Sequence, residues 1–509
     1  MPVSPRLALA ALVGLCASGC AVGPEYERPV LNAPQSFAHE AELAQREAAV
    51  APELSHWWDG FDDPLLSRLV AQALSDNLDL AQAAARITQA RALLGAAHAA
   101  LLPAATVGAH ADRVHQSLQT PVGRLLQGVS PSFDRGWAQY EANLAASWEL
   151  DFFGGRRRAR EAAAAEVEAT GASAAAVRLG VAAQTADTYL LIRGLQARLA
   201  ITREQASAQR RLMDMVEMRY DAGVAAELEL RQVESLVLQT EALVPALESA
   251  LENACNALDI GLGAQPGTHH AELEVAGALP AAPGLADIGG PPELLRRRPD
   301  LIAAERRLAA ANAAIGAAIA EYYPKISLTG LLGTATTSFG GLFTDGATQG
   351  QASAGLRWRL FDFARIEAEI AASRGRQAEA LAAYKLAVLQ ASGDVENSIT
   401  ALVRSEQQER LLGAGEQALR RAHDASVAAY ASGTVSLLEV LDADIKLLAA
   451  RDARAVAKTA SARAAVASFK ALGGGWETSG STGLARAGHG ASLPASEGRP
   501  AATARDEAG

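Results

Sequence analysis

The sequence predicts an α+β membrane protein in which a β-barrel shared between several chains continues into a long α-helical barrel. Three observations carry this. The chain is a duplicated unit, each copy holds two alternating segments about ten residues long, and each copy also holds a proline-free, helix-forming stretch of extreme length.

The N-terminus comes first. Arg6 precedes an apolar run from Leu7 to Cys16, and Ala17-Ser18-Gly19 then lead to Cys20. A charged start, an apolar stretch shorter than a membrane span and small residues before a cut make a secretory signal. The small residue before Cys20 resembles the bacterial lipobox, in which that cysteine is diacylated and becomes the new N-terminus. Ala21 follows it, not the aspartate that favours inner-membrane retention, so the resemblance points to the outer membrane. An ordinary signal with an incidental cysteine is the alternative. With Cys16 removed and Cys20 lipidated, only Cys255 of the three cysteines is left, and no internal disulfide is expected.

The 509 residues suffice for a large core, and a formal charge of -11 argues against a nucleic-acid partner. After the signal no apolar run reaches the roughly 18 residues of a helical span, so a bilayer crossing has to be a closed β-barrel.

Asp79-Leu80, Arg86, Gly95 and Pro103 recur 221 positions later as Asp300-Leu301, Arg307, Gly316 and Pro324. Trp148, Leu150, Phe153, Tyr220, Gly223, Leu228 and Glu229 recur 210 positions later as Trp358, Leu360, Phe363, Tyr430, Gly433, Leu438 and Glu439. The change of offset makes one loop of the first copy 11 residues longer. An internal two-fold repeat follows.

Each copy reads helix, strand pair, very long helix, turn, helix. The first helices, about Pro64 to Ala100 and Pro292 to Tyr322, are alanine-rich and stop at a proline. Then period two takes over. Ala138, Tyr140, Ala142, Leu144, Ala146, Trp148 and Leu150 oppose Gln139, Glu141, Asn143, Ser147 and Glu149; Ile326, Leu328 and Leu332 oppose Ser327 and Thr329. In Ala352 to Leu360 the even positions are apolar. A soluble sheet with one face on a core would alternate in the same way. Trp148 and Trp358 at matched strand ends, beside Arg156-Arg157-Arg158 and Arg357/Arg359, suit a membrane interface instead.

Gly154 to Asp221 and Ala364 to Ala431 follow, free of proline. At 1.5 Å per residue, about 67 residues make a rod of roughly 100 Å, longer than a globular domain needs. Tyr220-Asp221-Ala222-Gly223 and Tyr430-Ala431-Ser432-Gly433 reverse the rods, glycine supplying the left-handed residue that ends a helix. Four strands per chain cannot close a membrane barrel that needs about eight. Several chains share it, and periodicity does not choose between two and three.

Gly23-Pro24-Glu25-Tyr26 with Arg28-Pro29, Trp57-Trp58, Trp148 through Arg156, Leu294-Leu295-Arg296-Arg297-Arg298-Pro299-Asp300-Leu301, and Gly433 leading to Val440-Leu441-Asp442-Ala443 together resemble the outer-membrane factor family. These are TolC-like lipoprotein exit channels of resistance-nodulation-division tripartite efflux systems. The likeness covers the chain except its tail. It departs at Gly284 to Pro292 and in the first external loop near His115 to Arg135, both longer than usual.

The resemblance implies a homotrimer with a 12-stranded β-barrel, four strands per protomer, continued by an α-helical periplasmic barrel with an equatorial belt. It implies the bacterial outer membrane as location, and a periplasmic adaptor and an inner-membrane pump as partners. Leu258 to Pro292, Pro245 and the region after Leu472 are belt material. The expected organisation is a signal at 1–19, a lipid-anchored segment at 20–63, repeats at 64–257 and 292–475 with a linker at 258–291, and a disordered tail at 476–509. The implied activity is passive export of small molecules. Type I protein secretion is the alternative channel function, and a soluble periplasmic coiled-coil adaptor is the rival of another class.

Catalytic and phosphate-binding motifs are missing from the sequence, and no cofactor is expected beyond the lipid on Cys20. His269-His270 reads as a solvated loop and Cys255 as a buried small residue. The family's periplasmic gate carries over to Glu439 and Asp442, three apart on one helical face, with Leu438 as an apolar plug. An exposed acidic helix face is the bland alternative. Glu229 matches Glu439 in the first copy, where Gln232 replaces the second acid. In a trimer the acids form rings that attract cations and raise one another's pKa. The turns at Gly223 and Gly433 are the expected adaptor contacts.

Overall fold

A computed structural model describes residues 21–31, 36–44, 46, 51–130, 132, 134–275, 277–285 and 290–476. The signal at 1–19, Cys20 and the tail beyond Trp476 lie outside the described residues.

Helix α1 (Pro64–Asp76) starts with proline at its first position, and the Asp63 side chain accepts from the Leu65 and Leu66 amides at 3.0 and 3.2 Å. Asp63 also accepts from the Tyr189 hydroxyl at 2.6 Å, fastening the cap to the core. A single first helix was expected in each half, and the structure shows two. Helix α2 (Leu78–Ala99) begins anew at Asn77, whose side chain caps Asp79 and Leu80 at 2.8 and 3.2 Å. In the second half α7 (Pro291–Arg297) and α8 (Pro299–Ile319) part at Arg298, held extended by the proline that follows. The breaks lie at matched positions.

Between α2 and α8 in sequence come strand β1 (Ala104–His115), a short helix α3 (Pro121–Val129) in the longer first loop, strand β2 (Gly136–Leu150), and helices α4 (Gly155–Asp221), α5 (Glu227–Glu241) and α6 (Leu243–Gly261). After α8 come β3 (Lys325–Thr336), β4 (Thr348–Arg357), α9 (Phe363–Ala431) and α10 (Leu437–Ala471). The four strands form one antiparallel sheet in the order β1-β2-β3-β4. The central pairing, Leu150 opposite Ile326 through Tyr140 opposite Thr336, joins the two halves. Strand β4 stops at Arg357, short of the alternation expected to Leu360, and the chain turns through Phe361 at φ 67°.

The rods α4 and α9 run for 67 and 69 residues. Gly223 and Gly433 end them at φ 75° and 73°, and a side chain at either would meet open space. Backbone conformation alone therefore selects glycine there. The amides of Val224 and Thr434 reach back to the carbonyls of Arg219 and Ala429, both at 2.9 Å, closing equivalent turns.

The main core lies midway along the rods, where α1, α4, α6 and α10 meet. Trp57, wholly buried, stacks on Phe469 with ring centres 5.3 Å apart, and Leu66, Tyr189, Leu258 and Leu262 surround them. A second cluster near the turns gathers Val216, Val233, Val237, Tyr430, Leu437, Val440 and Leu441. Arg298 knits three helices together: it binds Asp300 at 2.7 Å, Asp394 on α9 at 3.1 Å and the Ala471 carbonyl of α10 at 3.2 Å. The Arg-Pro-Asp run of the sequence is thus a structural clamp.

Candidate functional site

The sheet has two unlike faces. Val107, Leu144 and Leu332 stand opposite one another in a row across three strands and are 82, 47 and 62% exposed. An apolar row so exposed calls for a non-aqueous neighbour. On the other face Glu141 accepts from Gln139 at 2.5 Å and Asn143 at 3.2 Å, Asn143 accepts from Gln349 at 2.8 Å, and Thr329 meets Ser353 at 2.7 Å. This polar lattice suits water. Trp148 and Trp358 donate their indole N–H to the carbonyls of Leu101 and Tyr322, each at 2.9 Å, which are themselves matched positions. Each ring is thereby held at the helical end of the sheet, apolar body outward.

The N-terminal segment runs along α8 from that same end. The Val22 amide donates to the Phe153 carbonyl at 3.1 Å, and Ala21 packs so closely on Gly154 that a Cβ there would come within 2.6 Å. Buried Arg158 binds the Val22 carbonyl at 3.2 Å and Glu25 at 2.8 Å; Asn312 donates to the Pro24 carbonyl at 3.1 Å; Tyr26 donates to Glu305 at 2.5 Å. Gly23 passes over Gly316, where any side chain would collide with backbone. The Gly-Pro-Glu-Tyr run is a strap that fixes where the chain begins.

At the opposite end, α10 buries Leu437, Val440, Leu441, Asp444 and Leu447 and turns Leu438, Glu439 and Asp442 outward. Three of the four expected gate residues thus share one exposed face. Glu439 accepts from the Ser436 hydroxyl, which holds its carboxyl below the ordinary range. Asp442 pairs with Lys446 at 2.6 Å, one turn on. Glu229 is the fourth expected gate residue. It lies at the start of α5 near Tyr430, whose phenol is raised first by burial and then by Glu229, against Arg219 stacked 4.9 Å over the ring.

Two features escaped the sequence reading. His269 is not solvated: its Nδ1 lies 2.6 Å from Asp259, which is buried and also accepts the Gly267 amide at 2.7 Å. The carboxylate folds the loop around itself. The second is Asp444, buried behind the gate face; an acid one turn after apolar Val440 gives no local sign of its partners. Cys255 is buried, as its sequence neighbours suggested, and burial pushes its thiol up to about 11. Among the described residues no group of three or more His, Cys, Asp or Glu could hold a metal, and no helix is long and apolar enough to cross a membrane.

The pattern described as outer membrane efflux protein matches residues 69–264 and again 290–474, most of the chain. The chain belongs to the outer membrane efflux protein family. Its relatives include the pyoverdine export outer membrane protein OpmQ of Pseudomonas putida, 34% identical over 83% of this chain and 88% of that one. Outer membrane protein OprJ of Pseudomonas aeruginosa is 32% identical over 92% of this chain and 95% of its own length. The solved outer-membrane channel OprN superposes with a TM-score of 0.81 at 33% identity, covering 90% of this chain and all of that one. The chain is an outer-membrane efflux channel, in a family of transport ducts.

Proposed function

We propose that three copies of this channel close their sheets into one 12-stranded barrel, lipid-anchored at Cys20, and that the duct continues through the periplasm between the α4 and α9 rods. One observation carries the reading: a four-stranded sheet with an apolar face, a wet face and two unpaired edges, standing on rods about 100 Å long. Two copies would give eight strands, an interior that side chains fill; three leave room for cargo. The matched breaks, turns and tryptophans support tandem duplication, with repeats near 64–257 and 292–475, a linker at 258–291, and a belt where the main core lies. The strap supports the anchor, because it sets Ala21 beside Gly154 at the tryptophan-bearing end of the sheet.

Transport is passive within this chain. The Leu438, Glu439 and Asp442 faces of three copies converge at the tip as a plug and two acidic rings. A periplasmic adaptor engages the turns at Gly223 and Gly433, and an inner-membrane resistance-nodulation-division pump drives small molecules through. Lys446 beside each Asp442 supplies a counter-charge that the sequence reading had not placed, softening the ring's field. Single-channel recordings of the reconstituted protein test the gate. Asp442→Asn and Glu439→Gln are expected to lower cation selectivity and change resting conductance; unchanged values in both would remove these residues from the gate.

A further inference from the structure

Asp444 is 4% exposed, yet it is a carboxylate in the helix that carries the gate. Both its oxygens are engaged from the other half of the chain: Gln205 on α4 donates to Oδ1, and Gln209, one turn on, donates to Oδ2 at 2.6 Å. These two glutamines are 3 and 1% exposed. From α9, His423 Nε2 stands 3.3 Å from the same Oδ1, with Asp424 at 3.4 Å from its other nitrogen. Three helices therefore meet on one buried acid, about 200° around α10 from Asp442 at 100° per residue.

The ion pairs of α10 with α4 and α9 lie further along, at Arg451, Asp452, Arg454 and Arg463, whereas near the turn α10 packs through Leu437, Val440, Leu441 and Leu447. Such contacts are non-directional. A slip of one turn at this end, about 5.4 Å, would set Leu437 where Leu441 was at little loss of apolar packing. A buried carboxylate has no such freedom, because leaving its donors strands charge and amide alike. Two donors spaced i, i+4 on α4 match its two oxygens in one register only.

We infer that Asp444, with Gln205 and Gln209, is a positioning site that sets the register and rotation of α10 on α4 and thereby aims Leu438, Glu439 and Asp442 at the channel axis. The inference rests on the proposed gate. Buried polar groups that fix register at some expense in stability are known devices in helical assemblies.

The test uses the full-length lipidated channel reconstituted in planar bilayers, with the heat-sensitive oligomer band as the assembly readout. Asp444→Leu and the triple variant Gln205→Leu, Gln209→Leu, Asp444→Leu are expected to assemble and to show resting conductance several-fold above the parent. The triple variant removes the buried amides together with the carboxylate and leaves only His423, which is part exposed and can turn to water, so it keeps the test alive should Asp444→Leu alone fail to fold. Asp444→Asn is expected to stay near the parent: its amide can donate to Gln209 Oε1, which is buried without a partner. A triple variant that assembles with parental conductance overturns the inference, and so does one that fails to assemble, since the cluster is then a stability element. Loss of channel events in parent and variants alike would instead refute the duct.

Discussion

Single residues in this protein are tied down by burial more than by chemistry. Cys255 shows it most simply: with its thiol raised to about 11 and almost no exposure, it should resist maleimide at pH 8 in the native protein. In denaturant it should label once per chain, and mass spectrometry reads both outcomes. A second free thiol would contradict lipidation at Cys20. Glu416 on α9 gives a pH dependence. Burial alone would raise its carboxyl, but Arg454 at 3.0 Å and Arg420 at 2.8 Å more than offset this and hold it below the ordinary range. A group depressed on folding contributes stability above its unfolded pKa of about 4.3, and that contribution is lost as pH falls through the folded value. Below about pH 4 the melting temperature of the parent should drop more steeply than that of Glu416→Gln. Both arginines are partly exposed, so the difference should also shrink with salt.

At the scale of elements, the long-period features were legible and the interruptions were not. Strands announced themselves by alternation from Ala138 to Leu150, and rods by their freedom from proline. The break at Asn77 had a local signal, asparagine two residues before Asp79, but it sat inside a run of strong helix formers. At Arg298 the signal is Pro299, which starts a helix from inside the Arg-Pro-Asp motif. Asp444 and His269 depend on partners more than 200 residues away or on a loop folded about Asp259, which no local pattern encodes. Spacing alone puts Leu438, Glu439 and Asp442 on one face, whereas the approach of Glu229 to Tyr430 depends on the packing of two hairpins. Asn77→Ala should cost about 1 kcal/mol through loss of the cap, read by thermal unfolding. Gly433→Ala should cost about 1–2 kcal/mol through the left-handed penalty. Its effect should stay local, as faster amide exchange in 428–440 with little change around Trp57.

For the whole molecule the sheet's two faces are the decisive asymmetry. Leu144→Arg places a cation on the apolar row and should destabilise the barrel by roughly 2–4 kcal/mol if near the bilayer midplane. Asn143→Arg, one residue along, enters the polar lattice and should be tolerated. The amount of heat-sensitive oligomer in outer-membrane fractions separates the two, and equal yields would show that the faces are misassigned. Fold class, strand number and rod length came from repetition and period; the number of copies came from resemblance, since one chain's pattern holds no record of how many neighbours it has.

The bare edges of β1 and β4 also bear on how the molecule is made. A four-stranded sheet in hydrocarbon leaves a ladder of unpaired amides and carbonyls on each side, a state a lone chain cannot occupy for long. Insertion and association are then one kinetic event, with a rate that climbs faster than linearly with the supply of chains. If the proposed lipid on Cys20 tethers each protomer, copies meet in two dimensions, where encounters are frequent. Scarcity would therefore show as chains waiting in the periplasm, helices formed and strands unpaired, before it showed as fewer working channels.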